Sequence, residues 1–266
     1  MSDKTKFKSN PYNSLNKFIT TKEVYDIMKN MNIADFKLND INLYQRAYIH
    51  KSYCFMKDYE EYTNDINALP LQEISYEKME FLGDSVLGYI TCDYLFQRYT
   101  HIYNQDEEFL TKMKNRLVCG EMLAKLANSL NFNKHLIISK HIDENCNGRN
   151  NKNILEDSFE AFIGALYLDT NDIFLVKKFL INVYEKYVDF SDLILNDNNY
   201  KDQLQRYLQN RFKEYPKYNI TEINGGKFSC QVIKKDECIS EGIGETKKKA
   251  EQNGAKNALI FYGVLN

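Results

Sequence analysis

YEKMEFLGDSVLGYI, residues 76–90, is the stretch of sequence that decides the fold. Its three acidic residues are spaced so that they share one face of a helix: Glu77, Glu80 and Asp84. The residues between them, such as Phe81 and Val86, are of the type that helices bury. Because like charges on neighbouring turns repel each other, another part of the molecule has to compensate this acidic face.

A second apolar helix with embedded acids is predicted over residues 154–169, ILEDSFEAFIGALYLD. Asp157 and Glu160 form an acidic pair there, and the nearby cations are Lys78 and Lys152. Buried carboxylates are costly unless a cation or metal ion pairs with them. Oxygen ligands from two facing helices suit Mg²⁺, so the two helices predict a metal site able to cleave a phosphoester. The alternative is that each acid is solvated on the outer face of an amphipathic helix.

The composition is typical of a helical protein. The 266 residues leave room for one large domain or two ordinary ones, and 43% are hydrophobic, enough for a sizeable core. With 11 Gly and 3 Pro, helices are favoured over a loop-rich β architecture. Six scattered cysteines without a CxxC pair argue against zinc and favour reduced thiols. No apolar run reaches the roughly 18 residues of a membrane span, and the start lacks a signal-peptide core. We therefore expect an intracellular, cytoplasmic protein that does not bind or span a membrane.

Four regions follow from the pattern along the chain. Residues 1–20 are a polar N-terminal segment expected to be frayed, and residues 21–190 form a helical domain. Residues 191–199 are the linker candidate, and residues 200–266 predict a small α-β-β-β-α domain. Residues 54–75 are an insertion, expected to form a long loop with one helical turn. From residue 76 onward, helices are predicted over about 76–98, 107–130, 154–169, 173–188, 201–212 and 247–262, and strands over 218–223, 228–233 and 238–242.

The two predicted domains carry opposite charge. Residues 1–199 hold 23 Lys and Arg against 29 Asp and Glu, whereas residues 200–266 hold 12 against 8. A basic module that binds a polyanion, attached to an acidic body, fits this asymmetry. Solvated surface charge is the alternative reading.

Three segments carry a resemblance to a known family. EKMEFLGDSVL, residues 77–87, resembles the signature motif of the ribonuclease III family, E-R-L-E-F-L-G-D-x-x-L. DSFEAFIGALYLD, residues 157–169, resembles the second acidic motif of that family. LYQRAYIHKSY, residues 43–53, resembles an upstream helix that ends in T-H-x-S-Y, with Ile49 in place of the usual Thr. The resemblance extends from about Leu43 to the C-terminus and implies an all-α endonuclease domain followed by the α-β-β-β-α domain.

The resemblance also implies roles for the acidic residues. Glu80, Asp84, Asp157 and Glu160 would be the metal ligands and catalytic acids, with Mg²⁺ as the ion and Mn²⁺ as a substitute. Glu77 would support a second metal or a substrate position. An acidic residue that shapes the cleft is expected in the run YNQDEE, residues 103–108, where Glu107 is the first choice and Asp106 or Glu108 could serve instead.

Two glycines inside the acidic helices point to close packing. Gly83 and Gly164 each cost about 1 kcal/mol relative to alanine, so a close approach of another backbone is expected at both. The resemblance places the signature helix at the two-fold interface of a homodimer. Gly83 would then lie at this interface, with Phe81 as its buried anchor.

The C-terminal region resembles a double-stranded RNA-binding domain. Lys247, Lys248 and Lys249 begin its last helix, where ammonium groups and free amide N–H groups together form a phosphate site. A solvated charge run is the alternative. By resemblance, Gln205 and Gln209 would touch the minor groove of the duplex. The loop between the first two strands, residues 224–227, is shorter than the usual loop and lacks its histidine.

Together these features predict a homodimer that cleaves double-stranded RNA. Each subunit would cut one strand and leave 5′-phosphate and 3′-hydroxyl ends with short 3′ overhangs, as the family does. The alternative is a non-cleaving protein that binds or sequesters double-stranded RNA. All four expected acids are present, which favours cleavage.

Overall fold

The computed structural model describes residues 9–100, 103–195, 199–223 and 225–265. The chain divides into two compact units between Phe190 and Ser191. The helices of the first unit are α1 (Thr21–Asn30), α2 (Ile41–Arg46), α3 (Glu77–Tyr99), α4 (Glu107–Leu117), α5 (Gly120–Ser129), α6 (Lys140–Asn145), α7 (Lys152–Thr170) and α8 (Ile173–Tyr187). A short helix, α9 (Phe190–Leu195), spans the boundary. The second unit contains α10 (Tyr200–Phe212), β1 (Lys217–Ile223), β2 (Lys227–Lys234), β3 (Glu237–Gly244) and α11 (Lys247–Phe261). The predicted fold class is confirmed.

Helices α3 and α7 cross at very short range, and their glycines make this possible. A Cβ atom on Gly83 would lie 1.8 Å from the carbonyl oxygen of Glu160, and one on Gly164 would lie 2.4 Å from that of Met79. Any larger side chain at these two positions would push the helices apart. Because the pairs follow in opposite order along the chain, the two helices run antiparallel. The close backbone approach expected from the two glycines is found within the chain.

The N-terminal segment is packed where the structure describes it. Asn13 and Asn16 are buried, and both side-chain amides donate to the carbonyl oxygen of Ile138, at 3.3 and 2.9 Å. The guanidinium of Arg149 donates to the side chain of Asn16 at 3.0 Å and to Asp143 at 2.9 Å. The expectation of fraying is therefore wrong for residues 9–20, while residues 1–8 lie outside the described residues. Polar side chains here serve a buried network that composition alone does not distinguish from a solvated tail.

The helix expected over residues 107–130 is two helices, α4 and α5. Cys119 has an extended backbone, with φ −74° and ψ 148°, and it caps α5. A Cβ atom on Gly120 would lie 2.2 Å from a carboxylate oxygen of Glu156, so the break lets α7 approach the start of α5. Valine, cysteine and glycine in succession also have weak helix propensity. The expectation of one continuous helix is corrected accordingly.

The insertion forms the expected long loop with a single helical turn. The turn is a 3₁₀ helix over Lys57–Tyr59. The loop is held at its base, where the Tyr53 hydroxyl donates to the carbonyl oxygen of Leu69 at 2.7 Å and the Phe55 N–H donates to that of Gln72 at 2.8 Å. Both bonds keep the loop close to the start of α3.

The second unit packs two helices on one three-stranded sheet. The strands are antiparallel in the order β1-β2-β3, and the core between sheet and helices consists of Leu204, Leu208, Val232, Ala255, Ala258 and Leu259. Gly242 allows α11 to touch β3, since a Cβ atom there would lie 2.0 Å from the amide nitrogen of Gly254. The β1–β2 turn uses Gly225 and Gly226 with positive φ angles of 86° and 70°, and Asn224 lies outside the described residues.

Part of the linker candidate is helical. Residues 191–195 belong to α9, whereas residues 196–198 lie outside the described residues. The six cysteines form no disulfide. Among the helices of the described chain, none combines the length and the apolarity needed to cross a bilayer.

Candidate active site and RNA interface

Four carboxylates from α3 and α7 lie together on the first unit, and we call them the carboxylate cluster: Glu80, Asp84, Asp157 and Glu160. The crossing of the two helices at Gly83 brings them together, because Gly83 lies between the two acids of α3 and touches the backbone of Glu160. Glu160 is only 8% exposed, Glu80 and Asp157 are half-buried, and Asp84 is exposed. The structure thus brings the four residues predicted as metal ligands close together.

The cluster is electrostatically unfavourable in its ionised form. Burial, and after it the charge of Asp84, raises the pKa of Glu160 to about 8. Burial and the charge of Asp157 raise the pKa of Glu80. Burial also raises the pKa of Asp157, against a hydrogen bond from Tyr76 that lowers it. Removing a carboxylate from water and placing it beside others both disfavour its charge, so a cation bound among these groups would favour their ionised form.

Hydrogen-bond donors at the cluster are few. The Tyr76 hydroxyl donates to Oδ2 of Asp157 at 2.9 Å, and Tyr76 is 1% exposed. Within the described ranges the carboxylates of Glu80, Asp84 and Glu160 accept no hydrogen bond and form no ion pair. Tyr76 was not among the residues that the sequence singled out. Its contact joins two segments 81 positions apart, which spacing along one helix cannot reveal.

Glu77 lies at the edge of the cluster and has its own partners. Its carboxylate accepts from Lys51 Nζ at 3.1 Å and from the Ser75 hydroxyl at 3.1 Å, and these bonds lower its pKa. The cation that reaches the site is therefore Lys51, which the sequence did not single out. Lys152, one of the two cations expected to be nearby, pairs with Glu121 at 2.9 Å instead.

A fifth acid, Glu156, belongs to the same neighbourhood and was missed. Burial, then the charges of Asp157 and Asp84, raise its pKa, and its charge acts in turn on Glu160. Its carboxylate lies against Gly120 at the start of α5. The signal was present in the sequence, because Glu156 precedes Glu160 by four positions and so shares its helix face.

The acidic run before α4 is used locally. Asp106 caps α4 by accepting from the N–H of Phe109 at 2.9 Å, and Glu107 accepts from the Thr111 hydroxyl at 2.7 Å. Glu107 and Glu108 are both exposed. The charges that act most on Glu160 come from Asp84, Glu156, Glu80 and Asp157, and the acidic run is not among them. The structure thus does not bring Glu107 into the cluster, and which of the three acids lines a cleft stays a prediction.

The donor set of the cluster fits a hard divalent cation. All four groups offer carboxylate oxygens. The protein compensates their charges in part, through the hydrogen bond from Tyr76 to Asp157 and the charge of Lys51, which partly offsets the raised pKa of Glu80 and Asp157. In the described part of the chain, no three His, Cys, Asp or Glu side chains are already close enough together to hold a metal ion. The residue types therefore suit Mg²⁺ or Mn²⁺, while the side chains would have to close around the ion.

The outer face of α3 is apolar and exposed. Phe81 is 78% exposed and Tyr89 is 63% exposed, and Phe96 follows two turns further along. Gly83 is buried on the opposite side against α7. Because an intrachain contact accounts for Gly83, the predicted dimer interface depends on Phe81.

The predicted RNA-contacting residues of the second unit are all exposed. Gln205 and Gln209 lie one turn apart on an exposed face of α10, each next in sequence to one of the buried residues Leu204 and Leu208. Polar amides can donate to or accept from groove edges without base specificity.

The three lysines are at the start of α11, as predicted. Thr246 caps this helix by accepting from the N–H of Lys249 at 3.2 Å. Lys247 and Lys248 are exposed beside the same helix end, and the Lys247 ammonium lies 5.7 Å from the centre of the Phe228 ring. Ammonium groups beside a helix N-terminus attract phosphate.

Comparison with known proteins matches both units to family models. Residues 40–182 match the model described as Ribonuclease-III-like, and residues 200–261 match the double-stranded RNA binding motif. The first match covers more than half of the chain and contains the whole carboxylate cluster. The second contains all five residues predicted to contact RNA.

A relative in sequence agrees with these matches. Ribonuclease 3 of Staphylococcus aureus strain Mu3 is 36% identical over 227 residues, which cover 84% of this chain and 86% of that protein. Among solved structures, the nuclease domain of ribonuclease III from Campylobacter jejuni is 29% identical, with a TM-score of 0.49, and the match covers 62% of this chain and 97% of that domain.

Proposed function

The chain belongs to the ribonuclease III family, and on that premise we propose that it is an endoribonuclease which cleaves double-stranded RNA at the carboxylate cluster. The observation that carries the proposal is the meeting of four carboxylates from α3 and α7, three of them with raised pKa values. A protein that only bound RNA would have no use for carboxylates that repel both each other and the phosphates of its ligand. The non-cleaving alternative is therefore the less favoured reading.

The cluster has the chemistry for metal-dependent hydrolysis. Glu80 and Asp84 from α3, with Asp157 and Glu160 from α7, would hold Mg²⁺, or Mn²⁺ as a substitute, through their oxygen atoms. The bound ion would supply an activated water and neutralise charge on the scissile phosphate. The water oxygen bonds to phosphorus as the bond to O3′ breaks, which leaves a 5′-phosphate and a 3′-hydroxyl. Glu77, which forms an ion pair with Lys51, would support a second ion or the substrate.

A homodimer accounts for double-strand cleavage. The exposed apolar face of α3, which includes Phe81 and Tyr89, is the surface that a second copy would cover. Each subunit would cut one strand, and offset cuts leave short 3′ overhangs. Light scattering at micromolar concentration should give twice the mass of the 31.4 kDa chain, and a species of monomer mass alone would contradict the paired-site arrangement.

The second unit would hold the duplex without reading its sequence. A-form RNA has a deep, narrow major groove, so binding across the minor groove relies on shape, phosphates and 2′-hydroxyls. Gln205 and Gln209 would contact the minor groove, and Lys247, Lys248 and Lys249 would contact phosphates. We further infer that the protein acts in the cytoplasm, where its six unpaired thiols stay reduced.

A cleavage assay on long duplex RNA tests the enzymatic proposal. Wild-type protein should cut the duplex with Mg²⁺ and not with EDTA, and Glu160→Gln should abolish cleavage while duplex binding stays within a few-fold. Glu144→Gln, an exposed glutamate of α6, is the matched control and should cut normally. Mg²⁺-dependent cleavage by Glu160→Gln would overturn the site assignment.

Salt titration tests the RNA interface. Replacing Lys247, Lys248 and Lys249 by alanine should lower the salt dependence of duplex binding by up to about three units of log–log slope, about one for each phosphate that a lysine no longer neutralises. Sequence preference should hardly change, because the phosphates carry no base information. An unchanged slope with intact affinity would mean that these lysines are a solvated face.

A further inference from the structure

Tyr76 lies at the N-cap of α3, where its side chain does not cap the helix. Ser, Thr, Asp and Asn are preferred at such a position because their side chains accept from the first helical N–H groups, and Tyr76 makes no side-chain bond of that kind. Its phenol instead crosses to α7 and donates to Oδ2 of Asp157 at 2.9 Å. We propose that Tyr76 is a positioning residue for the carboxylate cluster, orienting Asp157 toward a divalent cation. The proposal rests on the function proposed above.

The backbone and ring of Tyr76 are fixed before any ion binds. Its N–H donates to the carbonyl oxygen of Ile49 at 2.9 Å, and its own carbonyl oxygen accepts from Met79 and Glu80, at 2.8 and 3.0 Å. The ring is buried, with the His50 ring 5.9 Å away between centroids. The position of the hydroxyl oxygen beside Asp157 is therefore fixed by the ring.

The hydrogen bond distinguishes Asp157 from the other members of the cluster. Over the residues that the structure describes, the Tyr76 hydroxyl is the one side-chain donor to this carboxylate, and Glu80, Asp84 and Glu160 have none. With Oδ2 engaged by Tyr76, Oδ1 is left for an ion. Asp157 is therefore a preset ligand around which the freer carboxylates can close, and such supporting bonds contribute to metal affinity in other proteins.

The chain contains a matched control on the same helix. Tyr44 is also fully buried, and its hydroxyl donates to Oδ2 of Asp169 at 3.0 Å. Asp169 lies twelve positions beyond Asp157, about 18 Å along α7. Tyr76→Phe and Tyr44→Phe thus remove the same buried hydroxyl from the same type of partner, once at the cluster and once away from it.

Direct metal binding by the full chain without RNA separates a positioning role from a structural one. We expect Mn²⁺ titration followed by electron paramagnetic resonance to show affinity about 10- to 100-fold weaker for Tyr76→Phe than for wild type, and unchanged affinity for Tyr44→Phe. The Mg²⁺ concentration for half-maximal cleavage should rise by a similar factor in Tyr76→Phe alone. Duplex binding in EDTA should be equal in all three proteins.

The outcomes separate this proposal from the one it rests on. If the wild-type protein cleaves RNA and Tyr76→Phe binds Mn²⁺ as tightly as the wild type, the positioning role is overturned and the enzymatic function stands. An equal loss of affinity in both variants would also overturn it, because a general loss of stability would then explain the effect. Absence of Mg²⁺-dependent cleavage by the wild-type protein would overturn the proposed function itself.

Discussion

Helix α7 carries an aspartate near each end of its acidic motif, and the two are treated in opposite ways. Asp169 is 9% exposed and its carboxylate is surrounded by donors: the backbone N–H groups of Asn39 and Asp40, at 3.0 and 2.7 Å, and the Tyr44 hydroxyl at 3.0 Å. Asp157 has the Tyr76 hydroxyl as its side-chain donor among the described residues, and its charge raises the pKa of Glu80, Glu156 and Glu160. Among the described residues, one helix thus holds a carboxylate with three donors and another with a single side-chain donor.

The difference separates structure from function. Three hydrogen bonds offset the free-energy cost of removing the Asp169 carboxylate from water. Asp169 therefore connects the segment before α2 to the end of α7. Carboxylates that lie close together destabilise a fold. A protein that needed only to be stable would not retain them. The proposed metal binding would therefore explain why the cluster end of α7 keeps these carboxylates.

The largest expected effect comes from exchanging aspartate for asparagine at each end. One exchange should remove activity and the other should reduce stability. Asp157→Asn removes a charged ligand, so cleavage should fall by more than about 100-fold with little change in melting temperature. Asp169→Asn places an amide among donors, so the free energy of unfolding should fall by about 2 to 4 kcal/mol while the folded fraction cleaves normally. Cleavage rates and urea denaturation of both variants provide the test.

The contrast between Asp157 and Asp169 would not hold if either substitution reduced both activity and stability. A loss of activity in folded Asp169→Asn would place this residue in the site as well. A loss of stability in Asp157→Asn as large as in Asp169→Asn would mean that the cluster also holds the fold together.

The crossing that creates the cluster depends on a glycine, and adding one methyl group there should be the next largest effect. A Cβ on Gly83 would lie 1.8 Å from the Glu160 carbonyl oxygen, so Gly83→Ala must push α3 and α7 apart. We expect a loss of about 3 kcal/mol or more in stability, with cleavage lost too, because ligands from both helices would separate. Gly88→Ala on the same helix, where an added Cβ would meet no other part of the same chain within 4 Å, should leave the α3–α7 crossing intact and be neutral or stabilising by about 0.5 to 1 kcal/mol for the single chain. Equal effects of the two substitutions would show that the crossing is not constrained.

The sequence predicted what depends on periodicity and motif. The spacing of Glu80 and Asp84 and that of Asp157 and Glu160 indicated two acidic helix faces, and the glycines indicated close packing. The resemblance then implied that these four acids are metal ligands. The strand and helix order of the second unit was likewise predicted from its alternating pattern.

What the sequence could not predict depends on contacts between distant segments. Tyr76 and Lys51 reach the cluster from outside the two acidic motifs, and the Asn13 network joins residues more than 120 positions apart. Nor does the motif show that Asp169 has a structural role, because it is an aspartate of the same pattern on the same helix as Asp157. The donors that make Asp169 structural come from α2 and the two residues before it, and only the folded chain brings them there.

The last expected effect is a gain of stability from damaging the cluster. Glu160 is 8% exposed beside other carboxylates, and burial raises its pKa to about 8 from an ordinary value of 4.5. The unfolded chain releases this proton more readily, so the group destabilises the metal-free protein increasingly as the pH rises from about 4.5 to 8. Glu160→Gln should therefore raise the free energy of unfolding in EDTA at pH 7 by about 1 to 3 kcal/mol, although it abolishes cleavage. The gain should vanish near pH 4, where the carboxyl is protonated in both states. A lower melting temperature for this variant at pH 7 would mean that Glu160 stabilises the fold as Asp169 does, and the contrast between the two ends of α7 would no longer hold.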